Sequence, residues 1–156
     1  MRNRILSNKA EIENRISEAK ARGGFSQDVI IVAVTKYQTI EDTNAAIEVG
    51  LSNIGENYVQ HLKEKDGLLL PCNRHFIGHL QTNKVKALLS MKDISLIQSV
   101  DSVKLAAEID KYSEKLGRTT DILLQVNIGD EEQKFGVEPA DTVALARDVS
   151  DFEHIK

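Results

Sequence analysis

Lys36 stands directly after VIIVAVT (29–35), a continuous run of β-branched and small apolar residues. A run apolar at both parities suits a strand buried on both faces, as in a parallel sheet. The lysine would then emerge at the C-terminal end of that strand. A lysine placed there can lose proton affinity through desolvation or a nearby cation, and its neutral amine condenses with carbonyls. The plainer alternative is a lysine that snorkels to solvent along its own methylene stem. Four further strand-like runs end in polar groups: 51–57 in Glu56 and Asn57, 75–79 in Gly78 and His79, 94–100 near Ser99 and Asp101, and 121–127 in Gln125 and Asn127. Parallel α/β folds bind ligands at the C-terminal ends of their strands. Any single polar strand end is ordinary, because such ends meet water; five in register point to a site.

The remaining reactive types are less informative. His75 and His79, at i and i+4 on a strand, would share a face but lie roughly 13 Å apart, too far to share a metal. His61 and His154 fall in helical or terminal segments and read as solvated. Glu131, Glu132 and Lys134 form a charged loop after the fifth run, also read as solvated. Cys72 is the single cysteine and adds no ligand set, so no metal site is expected.

The elements that would position this rim alternate. Residues 2–22 read as an amphipathic helix, with Ile5, Ile12, Ile16 and Ala19 at helical spacing and Gly23-Gly24 as its stop. After the first strand, Thr39 and Asp42 resemble a variant capping box for a helix that Gly50 closes. A helix from Tyr58 ends at Gly67, and another covers 81–92. Asp101 or Ser102 can cap a helix running to Gly117, and Pro139 suits the first turn of a last helix over 139–149. Strand centres recur about every 20 to 27 residues, the signature of βα units on a parallel sheet.

The first turn, TKYQT, has no glycine, which disfavours a dinucleotide-binding doubly wound sheet. A closed (β/α) barrel needs eight strands and about 250 residues. The expectation is therefore one α/β domain over 1–156: an N-terminal helix over 2–22, then βα units over 29–156. It would be a parallel (β/α) barrel, incomplete, with about five of eight units and the C-terminal units absent. Strands one and five would be open edges.

Composition narrows the partners. The 156 residues carry 20 Lys and Arg against 24 Asp and Glu, a formal net charge of −4, which argues against nucleic-acid binding driven by global charge. Aromatics are 4% with no Trp, which disfavours base-stacking platforms; no nucleic-acid partner is expected. No apolar run approaches the roughly 20 residues of a membrane span, so no membrane partner is expected either. Residues 1–22 are too charged for a secretory signal, and an unpaired cysteine suits a reducing compartment; the expected location is cytoplasmic.

Five motifs occur in order: VAVTK (32–36), GEN (55–57), HFIGHLQTNK (75–84), SVDS (99–102) and QVNIGDEEQKFG (125–136). Together they closely resemble the pyridoxal 5′-phosphate (PLP) homeostasis protein family, and they span most of the chain. The resemblance implies a PLP-binding barrel similar to the N-terminal domain of alanine racemase. It implies that Lys36 carries PLP as an aldimine and that Asn57 and His79 line the cofactor pocket. Asn127, Glu131, Lys134 and Gly136 match the family pattern in the last motif. Arg74 stands where many members have Trp, a change expected to affect the start of the strand more than its pocket end. The phosphate-binding loops and the group facing the pyridine nitrogen belong, in the family, to strands six to eight, whose motifs are not in these residues.

The resemblance further implies a non-enzymatic carrier or regulator that buffers PLP or delivers it to PLP-dependent apoenzymes. The alternative is a PLP-dependent amino acid racemase or decarboxylase of the same barrel class. Such enzymes add a second β domain and a second acid/base group, neither of which is seen in the sequence. A Schiff-base aldolase would also use a reactive lysine but would need no cofactor.

Overall fold

The computed structural model describes residues 2–24, 26–129 and 135–156. Five parallel strands form one sheet: β1 (Ala33–Val34), β2 (Asn53–Glu56), β3 (Asn73–Phe76), β4 (Ile94–Val100) and β5 (Ile122–Leu124). Their spatial order equals their order in the chain, each strand pairing with the one before it. Helices α1 (Arg2–Gly23), α2 (Ile40–Glu48), α3 (Val59–Lys65), α4 (Val85–Leu89), α5 (Val103–Lys115) and α6 (Thr142–Ser150) precede, link and follow the strands. Such ordered βα repetition is that of a barrel wall, not of a doubly wound sheet, in which the strand order reverses.

Local chemistry sets most boundaries. Thr39 caps α2, its hydroxyl accepting from the Asp42 amide at 3.1 Å. Ser102, rather than Asp101, caps α5 by accepting from the Leu105 amide. Pro139 opens a short 3₁₀ turn, Pro139–Asp141, that leads into α6. The helix expected over 81–92 is a 3₁₀ turn, Thr82–Lys84, followed by the five-residue α4.

One apolar core lies between the sheet and the helices. Phe76 of β3, Ile97 of β4, Leu88 of α4 and Ile109 of α5 are all buried in it. On α5, Leu105 and Ile109 at i and i+4 face inward, each stabilising the fold by about 1.5–3 kcal/mol relative to exposure. α1 has the expected span but no buried residue; it is stapled to α2 by Arg2–Glu48 at 3.7 Å, and along its own length by pairs such as Lys9–Glu13 at 2.7 Å.

Three expectations need correction. The first strand is Ala33–Val34, not 29–35, and it is not buried on both faces: Val29, Ile30 and Val34 are all exposed. Among the described residues, β1 pairs only with β2, so its other edge is open as expected. β3 starts earlier than expected and ends at Phe76, leaving His79 beyond it, so His75 and His79 do not share a strand face. Finally, β5 is not an open edge. Ile155 pairs in parallel with Thr120, and the Ile122 amide donates to the Lys156 carbonyl at 2.8 Å.

β3 alternates between two different environments. Arg74 and Phe76 point to the helix side, Arg74 donating to Asp66 at 2.6 Å. His75 faces the opposite side, where it is buried in a row of amides. Gln98 on β4 donates to its Nδ1 at 2.9 Å, and its Nε2 donates to Asn53 Oδ1 on β2 at 3.1 Å. Asn73 donates to the same Asn53 oxygen. Both ring nitrogens are committed with the imidazole neutral, and burial pushes the His75 pKa below its ordinary value.

Beyond the strands, the chain after β3 crosses the chain after β2 at Gly78. A Cβ there would sit 2.1 Å from the Asn57 carbonyl oxygen. Only glycine permits that approach.

Two outcomes follow. The unfolded chain binds a proton at His75 below about pH 6.5, where the folded protein still excludes it, so His75 removes stability as pH falls from about 6.5 towards its folded pKa. In urea melts between pH 7.5 and 5.5, the stability difference between wild type and His75→Gln should shrink on acidification; a pH-independent difference would contradict this. Gly78→Ala should cost about 2 kcal/mol or more through overpacking against backbone, read as a thermal midpoint lowered by at least about 4 °C.

Candidate functional site

The C-terminal rim of the sheet begins with a strained turn. Thr35 extends the β1 ladder by donating to the Gly55 carbonyl at 2.9 Å, and its own carbonyl accepts from the Gln38 amide at 3.1 Å. Lys36 and Tyr37 are the central residues of that turn. Tyr37 has φ +63°, the left-handed region in which a bulky residue costs about 1–2 kcal/mol. The surroundings compensate. The Tyr37 and Tyr58 hydroxyls share a hydrogen bond of 3.0 Å, their rings are tilted against each other, and both pack edge-on with His61. From beneath, Lys65 Nζ donates to the Thr35 carbonyl at 2.9 Å. Lys36 itself is exposed.

Glu56, at the end of β2, is 1% exposed. Its Oε1 accepts from the amides of Asn57 at 2.8 Å and Tyr58 at 3.3 Å, at the start of α3. Its Oε2 accepts from Lys65 Nζ at 3.3 Å, and His61 Nδ1 lies 3.6 Å from Oε1. His61 is thus part of the rim, not a solvated helix residue as the sequence suggested.

Asn57 follows with its side-chain Oδ1 buried and unpartnered. Ser99 Oγ, near the end of β4, is likewise buried without a partner. The His79 ring stacks on Phe135 with centroids 3.5 Å apart, and its Nδ1 lies 3.8 Å from Asp101. Asn57 and His79 line one cleft of about 710 Å³, with Tyr58, Lys63, Lys84 and Phe135 also on its walls. Lys36 does not line this cleft; it stands on the adjoining rim position, linked through Tyr37 and Tyr58.

The last rim element folds back on itself. The Asn127 amide donates to the Val137 carbonyl at 2.9 Å, and Gln125 donates to the Phe135 carbonyl at 2.7 Å. Glu131, Glu132 and Lys134 lie outside the described residues. His154, expected to be solvated, is half-buried beside Asp110, whose carboxylate accepts from its amide at 2.7 Å. Among the described residues there is no group of three His, Cys, Asp or Glu placed to hold a metal ion, and no helix long and apolar enough to cross a membrane.

Lys36, Asn57, His79 and the strand-end residues were visible in the sequence. Lys65, Tyr37 and Tyr58 were not singled out for the site, and Gly78 was noted only as a strand end. A clue existed for Lys65: a carboxylate as deeply placed as Glu56 requires a nearby cation.

Comparison with known proteins matches this geometry. The family described as alanine racemase, N-terminal domain, matches residues 8–156. The pyridoxal phosphate homeostasis protein of Helicobacter pylori is 42% identical over 142 residues, covering 88% of this chain and 64% of that protein. A crystal structure of an unknown protein from Bifidobacterium adolescentis superposes with a TM-score of 0.84 at 27% identity, over 99% of this chain and 67% of its own. PipY of Synechococcus elongatus PCC7942, solved with PLP bound, superposes with a TM-score of 0.70 at 28% identity, over 88% of this chain and 64% of its own. The chain thus spans about two-thirds of the length of these proteins. Its fold is the parallel (β/α) barrel type of the alanine racemase N-terminal domain. By sequence and by fold, the chain belongs to the pyridoxal phosphate homeostasis protein family.

Proposed function

We propose that this chain is the part of a PLP homeostasis protein that holds the cofactor, with Lys36 as the attachment amine and Asn57 and His79 against the cofactor. It acts as a non-enzymatic carrier or regulator. We infer that the 156 residues belong to one barrel domain, to which they contribute the N-terminal helix and five βα units. The observation that carries the reading is the exposed Lys36 amine on a braced turn, on the rim that also bears the buried, unpartnered Asn57 Oδ1. The residues present fit the aldehyde and ring end of PLP. Lys36 offers a primary amine, Asn57 and Ser99 offer unused polar atoms on the same rim, and His79 offers an aromatic face held by Phe135. The relative named for PLP homeostasis and the PLP-bound PipY structure support the same ligand. When bound, the cofactor supplies an aldehyde that condenses reversibly with a primary amine.

The chain's own residues do the rest. Asn57 and Ser99 offer hydrogen bonds in a site already closed to water at those atoms, and the Lys36 turn holds the amine at the rim. The enzymatic alternative, a racemase or decarboxylase, needs acid and base groups on both faces of a substrate carbon. The names of the relatives favour the carrier reading. PLP-dependent apoenzymes are the proposed recipients. The proposed location is the cytoplasm, since the one cysteine of these residues, Cys72, is a free thiol, as suits a reducing compartment.

Borohydride reduction of the protein with PLP, followed by peptide mapping, should place the label on Lys36. Lys36→Ala should abolish it without lowering the melting temperature appreciably, and Lys36→Arg should not restore it, because guanidinium stays protonated. Label found chiefly on Lys63, Lys65 or Lys84 would overturn the assignment. With PLP bound, the protein should not racemise alanine or other free amino acids; turnover at about 1 s⁻¹ or more, within the range of enzymes, would establish the alternative.

A further inference from the structure

The turn that carries Lys36 has an unusual support. Its first residue, Thr35, is 4% exposed, and the Thr35 carbonyl accepts twice: from the Gln38 amide, which closes the turn, and from Lys65 Nζ. Lys65 is the last residue of α3, thirty positions away, and only 7% exposed. Burying an ammonium costs several kcal/mol unless a counter-charge accompanies it. Glu56 is that counter-charge, at 3.3 Å, and it simultaneously accepts from the Asn57 and Tyr58 amides. The strand end before Lys36 and the strand end before Asn57 are thus gripped by one ion pair.

We propose that Lys65 is a positioning residue for Lys36, with Glu56 as the counter-charge that holds it in place. This rests on the reading of Lys36 given above. A hydrogen bond from a charged donor is roughly twice as strong as a neutral one. The bond from Lys65 therefore holds the Thr35 carbonyl, and with it the strained Lys36–Tyr37 turn, against relaxation of the left-handed Tyr37. A purely architectural pair would fasten α3 to the sheet but would leave the turn, and the reactivity of Lys36, indifferent to its removal.

The variant that separates these roles is the double change Glu56→Gln with Lys65→Met. It removes both charges together, which a buried pair commonly tolerates, and Gln keeps an oxygen for the Asn57 and Tyr58 amides. Two readouts are taken well below the melting transition. One is hydrogen exchange at the Gln38 amide, with the core Ile97 amide as reference. The other is the rate at which PLP is captured at Lys36, quenched with borohydride and mapped. The double variant should melt cooperatively, with Gln38 exchanging at least tenfold faster and Ile97 unchanged. PLP capture should slow tenfold or more, since misplacing a reacting group by about 1 Å can cost a hundredfold. Lys65→Arg, which restores charged donors, should recover most of the capture rate. Wild-type exchange and capture in a folded double variant would overturn the proposal. So would loss of cooperative folding, because the pair would then serve the fold as a whole. Lys36→Ala, run in parallel, separates the two readings: if it also captures PLP normally, the Lys36 assignment fails; if it does not, a null result in the double variant refutes only the role of Lys65.

Discussion

A carboxylate buried to 1% must be neutralised and hydrogen-bonded, and much of the rim follows from how Glu56 meets that demand. Its two oxygens take a lysine from the end of α3 and the two backbone amides, Asn57 and Tyr58, that lead into the same helix. α3 is only seven residues long, too short to be stable alone, and its first residues have no side-chain cap of their own. Glu56 binds the chain just before the helix and the lysine at its end, and so fastens α3 at both ends. With α3 seated, Tyr58 and His61 come against Tyr37, and the Asn57 carbonyl takes the position that Gly78 must pass. The rim is a set of consequences of one buried charge.

Where the fold was legible in the sequence, the signal was local. β4 occupies its expected span, and α5 begins at a serine that caps it and is terminated at Gly117. Where the reading failed, the environment was asymmetric in a way hydropathy does not record. Val29 and Ile30 looked like a doubly buried strand, but among the described residues β1 is paired on one side only. At β3 the apolar residues Phe76 and Ile77 drew the expected strand towards its C-terminal side. The true strand begins in Asn73 and Arg74, because the inward face here is a row of amides around His75, and the helix side accepts an arginine paired with Asp66.

The site divides in the same way. Lys36, Asn57 and His79 stood out as candidates because each follows its own strand, and the structure places all three on the same rim. Lys65 was not, since within YVQHLKEK it is one of three charges near a helix end, and its acceptor is a main-chain carbonyl far off in sequence. Gly78 was read only as a strand end; its necessity comes from the Asn57 carbonyl, a partner that only the folded chain supplies. His61, read as solvated, owes its place to two tyrosines and a buried carboxylate brought to it by the turn and by β2.

The strand order matters beyond the geometry it confers. Because β2 docks on β1, β3 on β2 and so on, each new strand finds its partner already synthesised. A ribosome adding about 5–20 residues per second makes each βα unit in one to several seconds, far longer than elementary folding events take. Assembly can therefore keep pace with translation from the N-terminus, one strand at a time. Both partners of the buried ion pair emerge within ten residues of each other, so the brace beneath Lys36 can close soon after Lys65 clears the ribosome, before β4 or β5 has emerged.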